Sequence, residues 1–191
     1  MLLFFCLLSV FASRPAPAPA PLPATAIRDS LPVDTTYRFP EDYLGNWAGE
    51  LVVRNPAGVQ QTVPMELRLQ PVDDSTYTYT IIYGAAEEAG PRAYLLRRGS
   101  GKAGHWVIDE QNEILLDGYV VGNTFYSVFT VMGNYLVSRL EHRGAALEYV
   151  ICSGREAPVR RSGDAVVGGE EIPEVVSFGV RGEQRARLVR R

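Results

Sequence analysis

The sequence predicts an all-β protein: an antiparallel up-and-down meander of short strands that closes into a barrel. Three observations carry this expectation. Between Tyr43 and Cys152 the side chains alternate apolar and polar, which is the period of a half-buried strand. The alternating runs are separated by short segments holding Gly, Asn, Asp or Pro, the residues of tight turns. Nowhere in that span does an apolar helical period persist over several turns. A chain of sequential hairpins removes its exposed edges by closing on itself, whereas a sandwich would need longer crossing connections.

Nine strands follow in order. WAGELVVR (47–54) ends at the turn signal NPAG, and TVPMELRLQ (62–70) sets Met65, Leu67 and Leu69 on one face against Glu66, Arg68 and Gln70. STYTYTIIYG (75–84) places Tyr77, Tyr79, Ile81 and Tyr83 opposite Thr76, Thr78 and Thr80. RAYLLRR (92–98), GHWVIDE (104–110), EILLDGYVV (113–121), NTFYSVFTV (123–131), NYLVSRLEH (134–142) and AALEYVI (145–151) complete the set, with Gly-Asn at 122–123 and 133–134 marking two tight hairpins. The same alternation sends Phe125, Phe129, Leu136, Leu140, Leu147 and Tyr149 inward with the first group.

The flanks differ in composition. At 191 residues the chain is long enough for one domain with appendages. Residues 1–12, MLLFFCLLSVFA, form an apolar run too short to span a bilayer and suited to a secretory signal, with Val10-Phe11-Ala12 at the cleavage positions. This points to an exported protein of the periplasm or cell envelope with no transmembrane segment once the leader is removed. Residues 13–42 form a Pro/Ala-rich linker and approach, in which RPAPAPAPLPA (14–24) is an extended polyproline spacer. The barrel domain is expected over 43–153, followed by a charged C-terminal extension over 154–191. That extension ends in Arg181, Arg185, Arg187, Arg190 and Arg191, a tail expected to be solvated or to touch anionic lipid. With the leader gone Cys152 is the sole cysteine, so no intramolecular disulfide is available, and its place in EYVICSG suggests a buried thiol. The net charge of -3 argues against a nucleic-acid partner.

Gly45-Asn46-Trp47, at the head of the first strand, resembles the Gly-x-Trp signature of the lipocalin and calycin group. The resemblance implies that Trp47 packs across the closed end of the barrel beside a late-strand arginine, for which Arg139 in LVSRLEH is the candidate. LGNWAG (44–49) is also similar to the opening of nitrobindin-like and fatty-acid-binding-like barrels. The whole chain, with GHWVIDEQNEILLDGY (104–119) and QRARL (184–188), resembles uncharacterised exported proteins of Bacteroidetes, a likeness that implies no activity.

No residue set stands out as catalytic or metal-binding. Asp109, Glu110, Glu113 and Asp117 form the densest carboxylate cluster, but DEQNE has the composition of an exposed hairpin turn rather than of a glycosidase pair. RRGSGKAG (97–104) runs into a strand and not a helix, so it is a hairpin loop and no phosphate cradle. His105 and His142 lie at strand ends without ligand-spaced partners. Nitrobindin-like barrels hold haem through one histidine, and by that resemblance His142 is the better-placed candidate. Aromatic richness remains: Tyr77, Tyr79, Tyr83, Phe125, Phe129 and Tyr149 are the candidate ligand-binding residues, with Trp47 and Arg139 structural. Arg68, Arg92 or Arg97 would meet a ligand carboxylate.

The function expected is an exported lipocalin-like barrel that binds a small apolar or amphipathic ligand without catalysis, metal or cofactor. The alternatives are a cell-envelope protein-interaction module with a filled barrel, and a haem-binding barrel. Amino-terminal sequencing of the exported protein should begin after Ala12; a chain still beginning at Met1 would refute the leader reading.

Overall fold

A computed structural model describes residues 37–84 and 90–191. The expected leader and most of the Pro/Ala-rich linker lie outside the described residues. A one-turn 3-10 helix, Glu41–Tyr43, leads into fourteen strands. They are β1 (Gly45–Asn55), β2 (Gly58–Leu69), β3 (Thr76–Tyr83), β4 (Arg92–Arg98), β5 (His105–Asp109), β6 (Leu115–Val121), β7 (Thr124–Val131), β8 (Asn134–Arg143) and β9 (Ala146–Arg155), then β10 (Arg160–Ser162), β11 (Ala165–Val167), β12 (Glu170–Ile172), β13 (Val175–Ser177) and β14 (Val180–Arg190). The first nine coincide with the nine expected runs.

β1 to β9 pair with their sequence neighbours, every pairing antiparallel, and β14 closes the ring between β9 and β1. The barrel therefore has ten strands. This corrects the expected boundary at 153, because the charged extension is part of the wall. β14 forms although its sequence, VRGEQRARLVR, reads as a basic tail. Its alternate residues Gln184, Ala186 and Leu188 face inward, and Ala186 lies between Leu51 and Tyr149 while Leu188 lies between Gly49 and Leu147. The outward arginines are answered by carboxylates: Arg185 by Glu183 at 3.0 Å and Arg187 by Glu148 at 3.3 Å. Such exposed pairs contribute little singly. What the tenth strand contributes is the closure, since it covers the backbone edges that β1 and β9 would otherwise present.

The interior follows the two-residue period. Met65, Leu67, Leu69, Tyr77, Tyr79, Ile81, Phe125, Leu136, Leu140, Leu147 and Tyr149 are all buried as expected. Leu51, Leu96, Trp106, Ile108, Ala186 and Leu188 join them. Cys152 corrects another expectation: it falls on the outward set of β9, opposite Val137 and Glu183, and is only half-buried.

Between β9 and β14 the chain makes an arm of two short ladders, β10 with β13 and β11 with β12. It leans on the barrel where the Tyr135 hydroxyl donates to the Gly179 carbonyl at 3.0 Å, and the rest of it is largely exposed.

A chain ending at Phe178 should lose its cooperative unfolding transition in urea, because it lacks β14 and leaves two long edges open. A truncated protein that unfolds with the midpoint of the full chain would show that β14 is an appendage.

Candidate functional site

The barrel has two unlike ends. One end gathers the start of β1, β3, β5, β7 and β9 with the finish of the strands between them, and an aromatic plug seals it. Residues 37–44 fold back into this end, so residues 37–42 are structural and not merely an approach. Tyr43 is fully buried, its hydroxyl donating to the Asn123 carbonyl, and its own carbonyl accepts the Trp47 indole N–H at 2.8 Å. The Tyr37 amide donates to Asn123 Oδ1 at 2.9 Å. Phe39 stacks on Phe125 with centroids 4.8 Å apart and meets the edges of Tyr43 and Trp106. Aromatic pairs of this kind add to plain area burial, so the floor is a cohesive unit.

Trp47 is 2% exposed and lies in this floor as the Gly-x-Trp resemblance implies. The arginine beside it is Arg190, whose guanidinium stands 4.7 Å over the indole. Arg139 points outward and pairs with Glu141 at 2.9 Å, which corrects its expected role. The glycines around Trp47 have a physical reason. Gly45 has φ of +136°, and a Cβ there would come within 3.1 Å of the Arg190 guanidinium. A Cβ on Gly49 would sit 2.1 Å from the Arg187 carbonyl oxygen, so only glycine lets β1 and β14 approach.

His142 is inside the floor and 6% exposed, not at an open rim. Tyr37 stacks on its ring at 3.7 Å, and Tyr43 and Trp47 present their edges at 5.2 and 5.8 Å. Nδ1 is buried without a hydrogen-bond partner. Desolvation holds the imidazole below the usual histidine pKa, against a backbone hydrogen bond and the carboxylate charge of Asp42 that act to raise it. A haem iron needs an open coordination position on a ring nitrogen, and this ring is enclosed by aromatic neighbours.

The other end is a mouth. Its inward residues Val53, Val63, Tyr83, Tyr94, Leu116, Phe129 and Ile151 are half-buried, unlike the sealed ones below. Solvent therefore reaches the upper inner wall. Tyrosine hydroxyls gather on this wall: Tyr83 and Tyr149 share a hydrogen bond at 3.1 Å, with Tyr79 buried beneath. Burial pushes the hydroxyls of Tyr79, Tyr149, Tyr83 and Tyr94 up, so at neutral pH all four carry their protons. Arg92 is on the same face, its guanidinium 5.1 Å over the Tyr83 ring. Of the three arginines suggested by sequence, it alone faces inward. Arg68 pairs with Glu66 at 2.7 Å and Arg97 with Asp109 at 3.1 Å, both on the outside. Glu110 departs from the exposed turn expected for DEQNE. Only 9% of it is exposed, with the Asn112 amide 3.4 Å from Oε2, while Gln111 and Glu113 take the positive φ of the turn.

The predicted ligand residues thus divide. Tyr77 and Phe125 belong to the floor, where Tyr77 meets the edge of Trp106. Tyr79, Tyr83, Phe129 and Tyr149 line the upper barrel. Arg92 and Glu110 complete the mouth; the inward parity of RAYLLRR was the signal for Arg92, and composition hid Glu110. On the outer wall, His105 pairs with Asp117 at 2.7 Å and stacks on Tyr119. Among the described residues no cluster of metal-ligating side chains is present.

No family model matches the chain, and no curated protein matches it. Solved structures similar to it include the two that follow. The S-type phycobiliprotein lyase CPES of Guillardia theta superposes with a TM-score of 0.50 at 9% identity, over 79% of this chain and 89% of that one. The fold is a lipocalin-like barrel. The Rv2717c protein of M. tuberculosis aligns over 78% of this chain and 92% of that one, with a TM-score of 0.31 and 17% identity. At 9% identity the likeness to the lyase is one of fold, and function rests on the site.

Trp47→Ala should destabilise the barrel by about 3–5 kcal/mol. Arg190→Ala should cost about 1 kcal/mol and shift Trp47 fluorescence, whereas Arg139→Ala should leave that emission unchanged. Fluorescence that responds to Arg139 and not to Arg190 would contradict the floor described.

Proposed function

We propose that the protein is an exported, non-catalytic barrel that binds a small amphipathic molecule through its mouth, apolar tail inward and anionic head at Arg92. The observation that carries this reading is the convergence of protonated tyrosine hydroxyls and Arg92 on the half-buried end of a barrel whose other end is plugged. Val53, Val63, Leu116, Phe129 and Ile151 supply apolar wall for a tail, and the hydroxyls are donors for oxygen atoms of a head group. Arg92 offers the cation for a charge-assisted hydrogen bond to an anionic head. Glu110 nearby selects against a head of high negative charge.

A second reading, an envelope protein-interaction module, is favoured by the arm. Val159, Val166, Val167 and Phe178 are all exposed there, and large exposed apolar side chains of this kind mark partner surfaces.

Titration with a fluorescent fatty acid should show saturable uptake and a rise in melting temperature. Tyr79→Trp should fill the upper barrel and weaken uptake, and Arg92→Gln should weaken it roughly tenfold, as the loss of one charged hydrogen bond does. No saturable uptake, together with no lipid carried through purification, would leave the interaction module as the better account.

A further inference from the structure

We propose that residues 37–44 are an acid-released plug, held shut by neutral His142 and freed when that ring takes up a second proton. The inference does not depend on what the mouth binds.

The geometry begins with the unpartnered nitrogen. In neutral histidine one ring nitrogen carries a proton and the other a lone pair. Nδ1 of His142 is buried with no partner, and the Asp42 backbone acts on the charge of the ring from the plug side. A lone pair left dry is tolerable. A proton on that nitrogen would create a buried N–H with no acceptor, and would place a charge in an aromatic enclosure.

The groups around the ring set the balance. The plug presents Tyr37 face-on and Tyr43 edge-on, and it also brings Asp42. β1 presents Trp47, and β14 brings Arg190, whose charge opposes a second cation. On its own strand the neighbours Glu141 and Arg143 point outward and pair with each other at 2.7 Å. Asp42 favours the imidazolium, but its carboxylate is already engaged by the Arg38 amide at 2.6 Å and by the Arg38 guanidinium at 3.6 Å. Burial outweighs it, and the pKa of the ring is lowered.

The weakest wall of this enclosure is the plug itself. The other walls are strands bonded on both sides within a closed ring. The plug is held by a few specific contacts: the Tyr37 amide on Asn123, the Tyr43 hydroxyl at Asn123 and the His142 amide, and the stacked rings. Movement of Tyr37 off the imidazole gives Nδ1 access to water without opening the barrel. Acid therefore acts on this segment first. The sign follows: a histidine whose folded pKa is depressed contributes its full stability above about pH 6.5 and loses it as pH falls through the folded value. The consequence is a second opening at the floor, opposite the mouth.

Hydrogen exchange of the full exported chain tests this, with protection factors corrected for intrinsic rates at each pH. Protection of the Tyr37 and Tyr43 amides should fall on the order of tenfold between about pH 7.5 and pH 5, while strand amides such as that of Leu67 hold theirs. His142→Gln should abolish the pH response. Tyr37→Ala, which removes the stacked ring, should leave the plug open at both pH values and serves if the first variant does not fold. Unchanged protection in the natural chain, an equal pH response in either variant, or an imidazolium signal from His142 with the plug still fully protected would overturn the proposal.

Discussion

The structure depends on one closure. β14 lies between β9 and β1, and through it every wall strand is bonded on both sides. Remove it, and the inward rows of β1 and β9 lose Ala186 and Leu188, and two ladders of backbone donors and acceptors face water. Closure also gives the alternation its meaning. On an open sheet the two faces can trade roles, whereas in a ring one set must fill the interior and the other must face solvent. The outer arginines and glutamates of β8, β9 and β14 follow from that division, as does the inward row of tyrosines.

Within the ring, chemistry is graded from floor to mouth. The floor holds Phe39, Tyr43, Trp47, Trp106 and Phe125, whose ring contacts leave His142 dry. The mouth keeps Tyr83, Tyr94 and Arg92 on a half-buried inner wall, above the buried side chains of Tyr79, Tyr149 and Glu110. One end is sealed by rings, and the inner wall of the other is half-buried.

Much of this was legible from residue order. The strand period is strong in TVPMELRLQ and STYTYTIIYG because large apolar side chains alternate with Thr, Glu and Arg, and it placed Tyr79, Tyr83, Phe129 and Tyr149 inside the barrel. Burial of Trp47 was legible from Gly-x-Trp. β14 was not, because its inward positions are Gly182, Gln184, Ala186 and Leu188, small or polar residues that carry almost no period, and a long arm separates it from β9. That omission explains the choice of Arg139 over Arg190: with β14 read as a tail, β8 appeared to be the late strand. The plug was missed for a related reason. Tyr37, Phe39 and Tyr43 are spaced by Arg38, Pro40, Glu41 and Asp42, and their destinations are set by residues distant in sequence, Asn123 for the two tyrosines and Phe125 and Trp106 for Phe39. Glu110 shows the same limit, since turn composition says nothing about which turn residue faces the barrel.

The central claim is that the upper barrel admits a guest between Tyr79, Tyr83 and Phe129 while the floor stays shut. A crystal of the protein soaked with a brominated fatty acid tests it most directly, through the anomalous signal of the bromine. The account predicts a bromine peak inside the ring, above Tyr79, with the carboxylate at Arg92 and the Trp47 floor undisturbed. A peak confined to the outer wall or the arm, or no peak with the upper barrel closed by its own side chains, would contradict it.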